Sequence, residues 1–227
     1  MDGIQKEIIT KSSIPEDTEE LLGAAEALQT MLMMYSCAIR EFKTKVEVLN
    51  DELSIRGQRN PIEFIKTRVK TPHSIYKKLK GFDISLDSVK DNLFDVAGVR
   101  IICSFVDDIY KIADMIVKQD DIQVLEVKDY IKNPKPNGYR SLHMICQIPV
   151  FFSDCKELLN VEVQIRTIAM DFWASLEHDL RYKKELLVTE DLQEELRVCA
   201  ETIAFTDNKM MEIRDQIEVL KQQEEAR

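Results

Sequence analysis

The run VEVQIRT at residues 161–167 alternates between apolar and polar side chains. In an extended strand that period of two sends Glu162, Gln164 and Arg166 to one face and Val161, Val163 and Ile165 to the other. A carboxylate beside an amide and a guanidinium makes a floor for a polar ligand, or simply the solvated side of a sheet. A second carboxylate, Asp95, stands in LFDVAGVRIICSF, just ahead of another branched run. Such a group either caps a turn or projects into a cleft to hold a cation. Mg²⁺ is commonly held by one or two carboxylates together with phosphate oxygens, and Asp95 with Glu162 supplies that pair. Arg100 follows on the same run, with a planar guanidinium able to stack on a base or fork onto phosphate.

Positive charge gathers nearby. The stretch KDYIKNPKPNGYRSLH, residues 128–143, sets Lys128, Lys132, Lys135, Arg140 and His143 around Tyr139. Its PKPNGY turn is expected to present Tyr139 at a loop tip, ready to stack on a nucleobase while the lysines meet phosphates. The competing reading is a β-hairpin with a charged loop, which Asn-Gly alone predicts. In RVKTPHSIYKKL, Arg68 and Lys70 fall on one side of an extended segment. Ser74 and Lys78 share a helix face close to a helix N-terminus, whose free amides favour phosphate. Lysines on a helix are equally an ordinary solvated face.

The whole chain narrows the choice. With 31 Lys+Arg against 41 Asp+Glu, its 227 residues carry a net charge of −10. An acidic total argues against a broad nucleic-acid face, so RNA is not an expected partner. It leaves room for a small polyanion in a local cationic pocket, because nearby charge sets the field in a cleft. The absence of a long apolar run and of a basic, apolar start predicts neither a membrane span nor a secretory signal. Five cysteines without a CxxC pair point to a reducing cytoplasm and away from a zinc site. His73, His143 and His178 are the only histidines, too few for a multi-His metal centre. His178 reads as a helix-surface residue; His73 stays open between loop residue and nucleotide contact.

These residues need elements to hold them. Residues 19–53 have a heptad-like seam of Leu28, Leu32, Tyr35, Ile39, Phe42, Val46, Leu49 and Leu53, which predicts one long helix. A second seam runs through Leu192, Leu196, Cys199, Ile203, Met210, Ile213, Ile217 and Leu220. Both are expected to pack on a core in preference to forming a free coiled coil. Asn60-Pro61 with Glu63 reads as a helix start, and Thr71-Pro72 as another, ending at Gly81. Residues 99–106, 122–127, 142–150 and 161–167 read as strands and 107–118 as a helix. A last helix begins at DFWASLEHDLRYKKE with Asp171 as its cap. The fold class is therefore α+β: a mixed sheet surrounded by helices, with long helices at both ends. The expected divisions are a flexible 1–18, a helical 19–56, a central domain 57–185 and a helical extension 186–227.

Taken in order, RVKTPHSIYKKL, DVAGVRI, KDYIKNPKPNGYRSLH, VEVQIRT and DFWASLEHDLRYK resemble the synthetase domain of the RelA/SpoT enzymes. The brevity of the chain is similar to that of the stand-alone small alarmone synthetases, and its wording is closer to the RelP than to the RelQ branch. The resemblance implies a nucleotidyltransferase-like fold and an ATP:GTP/GDP 3′-pyrophosphotransferase that makes ppGpp or pppGpp and AMP. It implies Mg²⁺ at Asp95 and Glu162, with Glu162 as general base. It further implies Arg68, Lys70, Ser74, Lys78 and Arg100 on ATP, and Lys128, Lys135, Asn137, Tyr139, His143 and Gln164 on GDP or GTP. A homotetramer in the cytoplasm is the implied assembly. The RelQ-type branch is activated by pppGpp through basic residues on its first helix. Here Lys43 is followed by Glu47 and Asn50, so the resemblance does not extend to that property. A nucleotide- or RNA-binding regulator with weak catalysis is the competing reading, and an oligomerisation protein, resting on the seams alone, is a third.

Overall fold

The computed structural model describes residues 18–56, 59–79, 85–182 and 190–225. The expected flexible terminus before residue 18, the helix end at Gly81 and the central-domain limits at 57 and 185 lie outside these residues. The elements in chain order are α1 (Thr18–Ile55), β1 (Ile62–Val69), α2 (Pro72–Lys78), α3 (Leu86–Asn92) and β2 (Ala97–Cys103). Next come α4 (Val106–Val117), β3 (Gln123–Asp129), β4 (Leu142–Phe151), β5 (Lys156–Thr167), α5 (Ile168–Tyr182) and α6 (Glu190–Glu225).

The five strands form one sheet in the order β1-β2-β5-β4-β3. Only β2 and β5 run parallel; the other neighbours are antiparallel, which makes the sheet mixed as expected. One face is apolar: Val99, Ile101, Leu142, Met144, Val161, Val163 and Ile165 are buried on it. Against them lies α1, whose Tyr35, Ala38, Phe42 and Val46 belong to the same core cluster. Alternation along the strands leaves the opposite face to the polar residues.

Three expectations need correction. Asn60-Pro61 opens no helix: Ile62–Val69 is a strand antiparallel to β2, and the Asn60 Oδ1 accepts the Ile62 amide at 3.1 Å in a local Asx turn. Asp171 does not cap α5. The cap is the Thr167 hydroxyl, which accepts the Met170 amide at 3.1 Å, and Asp171 sits in the first helical turn. Core packing holds for the seam of α1 but not for that of α6, where Leu192, Met210, Ile213, Ile217 and Leu220 are exposed. What α6 turns inward is Ala200, with Leu196 and Ile203, against Trp173 and Tyr139.

Candidate active site

Strand pairing assembles the polar face residue by residue. Lys66 on β1 pairs with Arg100 on β2, Arg100 with Gln164 on β5, Gln164 with His143 on β4, and His143 with Lys128 on β3. One rank of polar side chains therefore crosses all five strands. The adjacent rank places Arg68, Gly98 and Glu162 in line. Lys66, Arg68, Gly98, Arg100, Glu162 and Gln164 line a pocket of about 150 Å³.

Asp95 precedes β2 at the edge of this face. Its Oδ2 accepts Lys70 Nζ at 2.5 Å and Lys78 Nζ at 2.6 Å. Burial works against ionisation of this carboxyl, but hydrogen bonds and charge from both lysines prevail and hold it below the usual carboxylate range. The hydrogen bond to Asp95 in turn raises Lys78, which also feels the charge of Glu162, whereas burial pulls Lys70 down. α2 brings Lys78 here because Thr71 caps it, accepting the Ser74 amide at 3.3 Å; the Ser74 hydroxyl is engaged with Thr71 Oγ1 at 2.9 Å.

On the other flank, Glu162 accepts Gln164 Nε2 at 3.1 Å on Oε2, and its Oε1 lies 3.6 Å from His143 Nδ1. His143 carries no charge near neutrality: burial, followed by the charges of Arg166, Lys135, Lys128 and Arg100, pushes it down to about 3. Its tautomer follows from its neighbours. Arg166 Nη2 donates to Tyr139 Oη at 2.6 Å, and this hydroxyl lies 2.8 Å from His143 Nε2. With the Glu162 carboxylate on the Nδ1 side, the tautomer that suits both neighbours accepts the tyrosine proton on Nε2. The imidazole then keeps its own proton on Nδ1, facing Glu162.

Tyr139 does not stand free at a loop tip. The turn ahead of it is closed by the Gly138 amide on the Lys135 carbonyl at 2.8 Å, and Asn137 ties it to Glu177 on α5 at 3.1 Å. Gly138 has φ +87°, and a Cβ there would stand 2.5 Å from the Ala200 Cβ. Pressed against α6 in this way, Tyr139 is partly buried, and its ring meets Tyr130 and His143 edge to face at centroid distances of 6.1 and 5.7 Å. Lys135 Nζ lies over both tyrosine rings, at 4.7 and 4.9 Å. Lys128 is exposed and paired with Glu126 at 2.8 Å. His73 is exposed at the start of α2, and His178 is exposed on α5 as read from the sequence.

Three participants were given no role at the site from the sequence. Lys66 continues the alternation of Arg68 and Lys70, a signal hidden by the misread helix start. Asp171 and Arg166 meet beneath the polar rank, in contacts that link α5 to β5 and that no local pattern encodes.

Residues 67–186, more than half of the chain, match the family described as "Region found in RelA / SpoT proteins". The chain belongs to the RelA/SpoT family. It is 42% identical over 202 residues to the GTP pyrophosphokinase YwaC of Bacillus subtilis, covering 88% of this chain and 96% of that one. Identity to the GTP pyrophosphokinase YjbM of the same organism is 35% over 190 residues, 84% and 90% of the two chains. Among solved structures, small alarmone synthetase 2 from Bacillus subtilis has a TM-score of 0.76 at 42% identity, covering 83% of this chain and 98% of that one. Small alarmone synthetase 1, bound to its product pppGpp, has a TM-score of 0.76 at 35% identity, with 84% and 97% covered.

Proposed function

We propose that the chain is a GTP pyrophosphokinase that transfers the β,γ-pyrophosphate of ATP to the 3′-hydroxyl of GDP or GTP, releasing AMP. The observation that carries this reading is the position of Glu162. It is bordered by the cations Arg68 and Arg100 on one side and by the neutral, polar His143 and Gln164 on the other. A carboxylate so placed can take the proton of a hydroxyl while positive groups accept the developing charge of a phosphoryl transfer.

In this scheme Arg68 and Arg100 hold adenine, and Lys70, Ser74 and Lys78 the ATP phosphates. Tyr139, His143 and Gln164 border guanosine, with Lys128, Lys135 and Asn137 towards its phosphates. His143 Nδ1 faces the Glu162 carboxylate from 3.6 Å, beyond hydrogen-bond reach, and the imidazole does not compete for the proton, being less basic than free imidazole. To stack on guanine the Tyr139 ring must give up a cation that lies over it, Lys135 Nζ at 4.9 Å or Arg166 at 5.2 Å.

The donor set also fits Mg²⁺. Among the described residues no group of three or more His, Cys, Asp or Glu forms a metal cluster. Asp95 and Glu162, which Lys78 feels in common, are the carboxylates that would hold Mg²⁺ together with phosphate oxygens. Bound there with ATP, the ion would neutralise phosphate charge; Lys70 and Lys78 keep Asp95 ionised for it.

Assembly into a homo-oligomer, a homotetramer by the family resemblance, is supported by the exposed apolar residues of α6. Sedimentation showing only monomer at micromolar concentration removes that part. Among the described residues no helix is long and apolar enough to cross a membrane, in keeping with action in the cytoplasm. The function is tested with ATP labelled at the γ-phosphate, Mg²⁺ and either GDP or GTP. Label in a more highly charged guanosine nucleotide, matched by AMP, is the expected result. Binding of both nucleotides without transfer overturns the reading in favour of a nucleotide-binding regulator.

A further inference from the structure

Asp171 is 5% exposed and carries three cations. Its Oδ2 accepts Lys66 Nζ at 3.0 Å, and its Oδ1 accepts Arg100 Nη1 at 3.2 Å and Arg166 Nη1 at 3.3 Å. Lys66 and Arg100 belong to the pocket that opens around Arg68. Arg166, 3% exposed, reaches the other way: its Nη2 donates to Tyr139 Oη at 2.6 Å and to Gln164 Oε1 at 2.7 Å. A buried carboxylate is far more than a helix-end charge when each of its oxygens is engaged by a cation from a different strand. Desolvated charges of this kind hold their geometry only while every partner is in place.

We propose that Asp171 is a positioning residue that couples the two nucleotide subsites through Arg166. The assignment of one side to ATP and the other to GDP or GTP rests on the pyrophosphotransfer reading above. A nucleotide that draws Arg100 or Lys66 onto itself removes a cation from Asp171. The carboxylate then binds Arg166 more strongly, which shifts the guanidinium relative to Tyr139 and Gln164. The chain of contacts is continuous from Lys66 to His143 and needs no movement of the sheet. Coupling is reciprocal, so the acceptor must alter ATP affinity by the same factor.

The test is equilibrium titration of GDP, by calorimetry with Mg²⁺, in the absence and presence of a saturating non-hydrolysable ATP analogue. In the parent chain the analogue is expected to change the GDP dissociation constant by about five-fold or more, the low end of typical coupling. In Asp171→Asn that ratio is expected to approach one. Lys66→Met, altered at a half-exposed side chain, removes one cation from Asp171 permanently, so it should lower the ratio in part by moving GDP affinity alone part of the way towards its analogue-bound value. A purely structural role for Asp171 would lower the melting temperature and leave the ratio intact. A parent ratio of one, or a ratio unchanged in Asp171→Asn, overturns the proposal. If Asp171→Asn does not fold, an unchanged ratio in Lys66→Met overturns it. Failure of the labelled-ATP assay in the parent chain would instead sink the function reading, so the two failures are told apart.

Discussion

Gly98 on β2 lies in register with Glu162 on the parallel strand β5, so the position beside the candidate base carries no side chain. A Cβ built on Gly98 meets nothing nearer than the Arg68 carbonyl oxygen at 3.5 Å, an ordinary van der Waals contact. The fold therefore has room for a methyl group, and that room belongs to the pocket lined by Arg68, Arg100 and Glu162. Gly98→Ala is expected to melt at or slightly above the parent temperature, since glycine inside a strand gives up more backbone entropy than alanine. Transfer of labelled pyrophosphate should nevertheless fall about ten- to a hundred-fold, because displacement at the reacting centre is costly. Equal losses of stability and activity would contradict this division.

Glu162→Gln keeps the shape and the contact with Gln164 but cannot accept a proton. The turnover number is expected to drop by about 10²- to 10⁴-fold, the usual contribution of a general base. Affinity for GDP or GTP should change little, whereas Mg²⁺-dependent ATP binding should weaken, because Glu162 is also a proposed Mg²⁺ ligand. Product formed at the parent rate would remove Glu162 from the chemistry.

His143 predicts an acid limb in folding stability. In the unfolded chain its imidazole takes up a proton below the ordinary value of 6.5, whereas the folded site refuses one until about 3. Between those values the unfolded state binds more protons, so stability falls as pH is lowered through that window, by up to about 1.4 kcal/mol per pH unit. His143→Gln should flatten the slope in urea titrations between pH 4 and 6. An identical slope would assign the acid sensitivity to other groups.

Gly138→Ala meets two obstacles at once. Its φ of +87° disfavours a side chain, and the new methyl would collide with Ala200 on α6. A loss of about 1–3 kcal/mol is expected for strain of this kind. Ala200→Gly in the same chain should restore only part of it, since the contact is relieved and the dihedral is not. Full rescue would show that crowding alone required the glycine.

The parts of the site that were legible in the sequence are those written in a strand's own period. VEVQIRT displayed Glu162, Gln164 and Arg166 on one face by alternation, and the sheet keeps them there. β1 was hidden because Asn60, Pro61 and Glu63 satisfy a helix-start pattern, while the decisive contact, pairing with β2, runs from Ile62–Cys103 to Val69–Ala97, far beyond any local window. Asp171 was misassigned for a related reason. An acidic residue early in a helix fits a local cap, and nothing nearby reveals that Lys66, Arg100 and Arg166 converge on it. The seam of α6 has the same period as that of α1. Periodicity reports an apolar stripe and not what covers it, and in the single chain α1 meets the sheet while the α6 stripe remains open.

β5 passes into α5 without a loop: Thr167 ends the strand and Ile168 begins the helix. The five residues from Thr167 to Asp171 thus act as a rigid spacer between sheet and helix. One added residue after Thr167 would swing Asp171 about 100° around the helix axis, away from Arg100 and Arg166. Loops elsewhere can absorb changes in length, but this junction cannot. Natural or designed variants that lengthen or shorten it should lose the register between the strand that carries the candidate base and its supporting helix even where every named side chain is retained.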